Sequence, residues 1–253
     1  MKRHYTHKYL LDPSHPITVN LIGIGGTGSQ VLTCLARIDH ALQGLGHPGL
    51  HVRAYDPDTV TESNIGRQLF SISDLGLNKA VVLVTRLNRF FLNSWEAIPD
   101  KFNNDNPANI TVSCVDNVNT RIILHHNFKD GLHQSYNDYS EEMYWLDFGN
   151  ARNTGQIVLG TVRPVDQPTI EGIETVSELK SIADIFDLTQ VKDEDSGPSC
   201  SLAEALTKQD LFVNSTLAQL GSALIWKLIS TGSIDYHGAY LNLQTMNVNQ
   251  IKI

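Results

Sequence analysis

The sequence predicts an α/β fold: a Rossmann-like domain whose mainly parallel sheet is covered by helices, with antiparallel strands toward the C-terminus. Three observations carry that prediction. Short apolar runs alternate with segments of helical period over most of the first 130 residues, the order that parallel strands joined by crossover helices require. The first apolar run ends in a glycine cluster that opens directly into a helical pattern. Residues Tyr240–Ile253 alternate loosely, as a closing hairpin does.

The elements follow in order. Ile17–Ile24 is a short apolar run with β-branched residues and reads as a buried strand. Ser29–Leu42 places Val31, Leu32, Leu35, Ile38 and Leu42 near helical spacing, and the glycines at 44, 46 and 49 stop it. His51–Tyr55 is a second strand, ended by Asp56-Pro57. Two helical patches are expected next, over Glu62–Phe70 and Lys79–Phe91. Asn109–Val115 is a strand, and a helix is expected around Thr120–Phe128. Met143–Asp147 and Ile157–Val162 read as strands, and Leu211–Leu228 carries the longest helical pattern. Trp95, Trp145 and Trp226 lie in apolar contexts and are expected in the core.

Composition narrows the classes of function. Hydrophobic residues make up 41% and charged residues 18%, as in a globular soluble protein. The formal net charge of −8 argues against a general binder of nucleic acid or anionic membranes. No apolar run approaches the length of a membrane span or a signal-peptide core, so a cytoplasmic chain is expected. Nearly all the net charge lies in residues 166–196, where nine acids face only Lys180 and Lys192. Such a run is expected to be a solvated surface segment, placed where a gate or a partner contact is also conceivable. The cysteines are Cys34, Cys114 and Cys200, an odd and dispersed set that excludes a disulfide framework and a four-cysteine zinc site. The histidines lack ligand spacing apart from the adjacent His125-His126.

The chemistry sits in the turns. Gly23-Ile-Gly25-Gly26-Thr-Gly28-Ser29 joins the first strand to the first helix, where glycines let backbone N–H groups approach a phosphate at the helix N-terminus. Asp56, at the end of the second strand, is placed to accept hydrogen bonds from a ribose. If Glu62–Phe70 is helical, Asn64, Arg67 and Gln68 share one face, and Gly66 within it implies a close approach to the backbone. Lys79 opens the next helix. A bound nicotinamide dinucleotide has no need of an Arg and a Lys aimed at phosphates here. A nucleotidyl transfer does, because departing pyrophosphate builds negative charge. Asp116, at the carboxyl end of a later strand, is a hard oxygen donor suited to Mg²⁺.

The glycine-rich turn, then Asp-x-Asp-x-Val-x-x-Ser-Asn-x-x-Arg-Gln over 56–68, then Lys79, then Cys-Val-Asp-Asn over 114–117, resembles the adenylation domain of the ThiF, MoeB and ubiquitin-activating-enzyme superfamily. The ordered match runs from about residue 17 to 160. Residues 40–49 and 197–206 further resemble the ThiF-related protein of the bacterial PRTRC cassette, which also includes a ubiquitin-like protein and a conjugating-enzyme-like protein. The resemblance implies one adenylation domain over 1–253: a nucleotide-binding core at 1–165, an acidic crossover loop at 166–199, and a C-terminal helix and strands at 200–253. It implies that Gly25, Gly26 and Gly28 line the phosphates of ATP and Asp56 holds its ribose. Asn64, Arg67 and Lys79 would meet the triphosphate, and Asp116 would hold Mg²⁺. The implied reaction is attack by the C-terminal glycine carboxylate of a ubiquitin-like protein on the α-phosphate. A homodimer is implied as well. No structural zinc is expected, because the paired Cys-x-x-Cys motifs of many relatives are missing.

Relatives that pass the acyl group onward use a cysteine on the crossover segment, where Cys200 falls. Ser201-Leu-Ala-Glu204 has the pattern of a capping box, which would place Cys200 just before a helix and favour its thiolate, with Glu204 opposing. A free loop cysteine of no consequence fits the same residues. Cys34 and Cys114 are expected in the core. Two other readings stand beside adenylation of a ubiquitin-like tail: adenylation of another carboxylate, peptide or tRNA-linked, and a non-catalytic scaffold subunit. The intact set Asn64, Arg67, Lys79 and Asp116 argues against the scaffold.

Overall fold

The computed structural model describes residues 2–103, 105–130, 141–190 and 209–253. Its centre is an eight-stranded sheet in the order β11-β10-β7-β6-β5-β2-β3-β4. The strands are β2 (Ile17–Ile22), β3 (Leu50–Tyr55), β4 (Glu96–Ile98), β5 (Ile110–Ser113), β6 (Tyr144–Asn150), β7 (Thr154–Thr161), β10 (Tyr236–Asn242) and β11 (Asn247–Lys252). From β4 across to β6 every pairing is parallel, and β7, β10 and β11 continue the sheet antiparallel. The predicted fold class therefore holds, including the C-terminal hairpin.

The helices α1 (Gly26–Gly44), α2 (Lys79–Phe91) and α5 (Val213–Thr231) pack on one face, while α3 (Val118–Asp130) and the short α4 (Ile182–Ile185) cover the other. β2 shows how the sequence divides these faces. Its alternate residues Ile17, Val19 and Leu21 enter the core with α1, whereas Ile22 joins Leu124, Phe128 and Trp145 on the α3 side. Thr18 and Asn20 share that second face, and their polar groups are satisfied by Asn109 and by the carbonyl of Asn106. Cys34 is buried, and the Gln219 amide of α5 lies 3.2 Å from its sulfur.

The chain runs from β2 through α1 to β3 and through α2 to β4, then returns to the other side of β2 as β5. Strand order thus reverses between β2 and β5, which creates a crevice at their carboxyl ends, the position where open α/β sheets bind ligands.

One expectation needs correction. Glu62–Phe70 does not form a helix. Side chains close two isolated 3-10 turns instead, Thr61 with Asn64 over Glu62–Asn64 and Ser71 with Asp74 over Ile72–Asp74. Between them Ile65 is extended, and Gly66 adopts φ +81°, a left-handed conformation that favours glycine there. Of the acidic stretch, residues 166–190 are described. Its described acids are exposed, as expected, but Leu179, Ile182 and Leu188 between them are buried. Within it β8 (Glu174–Thr175) pairs parallel with β1 (Lys2–Tyr5), which pairs antiparallel with β9 (Ser233–Ile234). Residues 131–140, between α3 and β6, lie outside the described ones.

Candidate functional site

The crevice between β2 and β5 collects most of the residues singled out by sequence. Gly25 precedes α1 as its N-cap, and no side chain caps the helix. A methyl group added at Gly25 would meet open space. One added at Gly26 would collide with the Asn214 side chain, and one at Gly28 with the Gly23 carbonyl, 3.3 Å from Cys114 Cβ. Gly28 thus lets α1 start in direct contact with the ends of β2 and β5, while among the described residues no side chain caps the first N–H groups of α1.

Asp56 follows β3 and is buried. Its Oδ2 accepts from Ile24 N at 2.6 Å and its Oδ1 from Asp58 N at 2.8 Å, so one carboxylate ties the glycine-rich turn to the start of the next loop. Burial raises its pKa, against the hydrogen bond from Ile24 and the charge of Lys79. Asn78 caps α2 by accepting from Val81 N at 3.0 Å and donates to the Asp56 carbonyl at 2.8 Å. That bond fixes Lys79, whose buried Nζ reaches Asp58 Oδ2 at 2.9 Å.

Asn64 is buried, and its Oδ1 accepts from Thr61 N at 2.9 Å. Arg67 is half-buried. Its Nη1 donates to Gln209 Oε1 at 3.1 Å, and burial lowers its pKa. Two enclosed atoms beside it, Arg67 Nε and Gln68 Oε1, have no hydrogen-bond partner among the described residues. Buried polar groups are nearly always satisfied, so the pair leaves hydrogen-bonding capacity open beside the glycine-rich turn among the described residues. Asp116 is exposed just beyond β5.

Sequence reasoning did not find the polar framework around these groups. Thr27 Oγ1 donates to Asn214 Oδ1 at 2.9 Å, as does Asn150 Nδ2, and Asn214 Nδ2 donates to Gln209 Oε1 at 2.7 Å. On the far side of the crevice Arg121 Nε and Ser113 Oγ donate to Asp147 Oδ1 at 2.8 and 2.5 Å. Arg121 Nη2 also donates to the carbonyls of Val115 and Phe148, which locks the ends of β5 and β6 together below Asp116. Burial and the Asp147 carboxylate push the Cys114 thiol well above its ordinary pKa. Burial likewise raises that of Cys34. Cys200 and its capping-box pattern lie outside the described residues.

The sequence model of the ThiF family matches residues 14–251, nearly the whole chain. The chain belongs to the ThiF family. A search of curated proteins returns no match. Among solved structures, this ThiF-family chain is similar to E. coli MccB, with a TM-score of 0.61 at 17% identity, covering 96% of this chain and 63% of MccB. MccB solved with ATP gives 0.58 at 18% identity, covering 96% of this chain and 64% of that one. PaaA gives 0.59 at 15% identity, covering 96% and 65%. The chain therefore spans somewhat under two thirds of the length of these structural neighbours. MccB has also been solved with MccA. At these identities the likeness establishes the fold. Among the described residues no helix is long and apolar enough to cross a membrane.

Proposed function

We propose that this chain is an ATP-dependent adenylating enzyme that activates the C-terminal glycine carboxylate of a ubiquitin-like protein. The observation that carries the reading is the orphaned pair Arg67 Nε and Gln68 Oε1, which stands in a switch-point crevice with the uncapped N-terminus of α1. That combination suits a polyphosphate, and a structural neighbour solved with ATP supports ATP as its identity.

In this reading the carboxylate oxygen attacks the α-phosphorus, the bond to the β-phosphate oxygen breaks, and acyl-adenylate and pyrophosphate result. No proton moves, so the protein's task is positioning and charge. The first N–H groups of α1 and the Arg67 guanidinium meet phosphate oxygens, and Lys79 can exchange its contact with exposed Asp58 for the triphosphate. Asp56 keeps acceptor capacity for the ribose while it holds Ile24. A lone exposed carboxylate fits Mg²⁺, which takes one or two protein carboxylates alongside phosphates, so Asp116 would hold the ion as it offsets phosphate charge. In a second step the thiolate of Cys200 attacks the acyl carbon and releases AMP. The raised pKa values of Cys34 and Cys114 leave Cys200 as the cysteine for that role. A conjugating-enzyme-like protein as next acceptor, a PRTRC-type setting and a homodimer belong to the same proposal.

Adenylation of a different carboxylate is the second reading. It is favoured by the likeness to MccB, which has been solved with MccA. ATP–pyrophosphate exchange separates the two. Exchange that needs the terminal glycine of a ubiquitin-like protein, with a thioester lost in Cys200→Ala, supports the first. Exchange with an unrelated peptide and not with the ubiquitin-like protein supports the second.

A further inference from the structure

Arg67 is not held by a helix, since Ile65 is extended and Gly66 is left-handed just before it. Its direction must come from tertiary contacts. The hydrogen bond to Gln209 Oε1 joins it to a chain of neutral groups that crosses the crevice. Gln209 Oε1 accepts from both Arg67 and Asn214, and Asn214 Oδ1 accepts from both Thr27 and Asn150. Thr27 is the second residue of α1, Asn150 ends β6 and Asn214 is the second residue of α5. Three rigid elements thereby fix one carboxamide oxygen, and that oxygen fixes the guanidinium.

The nature of the acceptor is informative. Arg3, Arg53, Arg86 and Arg121 each pair with a carboxylate, whereas Arg67 among the described residues meets a neutral amide. A carboxylate at that place would hold the side chain equally well but would neutralise it. An amide oxygen leaves the full positive charge to a phosphate arriving at Nε, which has no partner among the described residues. We infer that Gln209 is a positioning residue for nucleotide binding: it aims Arg67 at the polyphosphate through a neutral acceptor that leaves the guanidinium charge unspent. The inference rests on the adenylation reading in placing polyphosphate at Arg67.

Dissociation constants for ATP and for adenosine, measured by calorimetry on the full chain, test it in wild type, Arg67→Ala, Gln209→Ala, Gln209→Glu and the Arg67→Ala/Gln209→Ala double variant. Arg67→Ala is expected to weaken ATP about tenfold or more and leave adenosine unchanged. Gln209→Ala should weaken ATP about three- to tenfold, and less than about twofold once Arg67 is gone, because it acts through that residue. Gln209→Glu keeps the acceptor and the shape but neutralises the guanidinium, so it should weaken ATP more than Gln209→Ala does. Losses that add in the double variant, equal losses for ATP and adenosine, or wild-type ATP binding in Gln209→Glu would overturn the inference alone. Unchanged ATP binding in Arg67→Ala would overturn the site reading and the inference with it.

Discussion

Glu142 offers a prediction whose size can be worked from the structure. It lies two residues before β6, 3% exposed, and its Oε1 has no hydrogen-bond partner among the described residues. Burial raises its carboxyl from 4.5 to about 7, against the opposing charge of Arg163. An acid whose pKa is higher in the folded protein favours folding fully only below the unfolded value. The benefit then declines as pH rises and is gone above the folded value of about 7. A shift from 4.5 to about 7, at about 1.4 kcal/mol per unit, corresponds to a total near 3 kcal/mol. Part of that is already lost at pH 5. Glu142→Gln keeps the shape and removes the titration. Its stability relative to wild type should therefore improve by about 2–3 kcal/mol between pH 5 and pH 9. Urea unfolding of both proteins at the two pH values measures the change, provided the slopes agree. A stability difference that stays constant with pH would refute the reasoning. ATP binding should not change, because Glu142 lies before the start of β6 and Asn150 ends it.

The glycines of the first turn give a paired test. Gly28→Ala forces Cβ against the Gly23 carbonyl, so it should destabilise the fold by about 1–3 kcal/mol and impair ATP binding. Gly25→Ala enters open space, so thermal unfolding should stay close to wild type while ATP titration reports any loss at the phosphate site itself. Arg121→Ala strands the Asp147 carboxylate, which is fully buried, and should cost about 3–5 kcal/mol in chemical denaturation. A cost below about 1 kcal/mol would mean that the pair does not lock β5 to β6.

The fold was legible where one period dominates a segment. The strand expected over Ile17–Ile24 and the helix over Lys79–Phe91 have clear periods and form as β2 and α2, and the loosely alternating C-terminus forms a hairpin that starts earlier than expected, at Tyr236. Glu62–Phe70 misleads because its spacing looks helical while Thr61 and Asn64, and Ser71 and Asp74 just beyond it, use their side chains to close single turns. β1 carries no strand pattern in Lys-Arg-His-Tyr. It is held by distant partners, with His4 bonded to Tyr144 and Val176 and Arg3 to Asp235. The site divides in the same way. The glycine-rich turn, Asp56 and Lys79 announce themselves through local context. Gln209 and Asn214 do not, because their partners Arg67 and Thr27 lie 142 and 187 residues away in the chain, and a polar residue at the start of a helix has many uses.

Central to the account is cleavage of ATP between its α- and β-phosphates by a carboxylate. Incubation of the purified chain with ATP, Mg²⁺, a ubiquitin-like protein ending in glycine and hydroxylamine as acyl acceptor, followed by separation of the nucleotides, tests that directly. AMP and pyrophosphate in equal amounts, dependent on the terminal glycine and lost in Arg67→Ala, are the predicted products. ADP and phosphate, or undiminished turnover in Arg67→Ala, would contradict it.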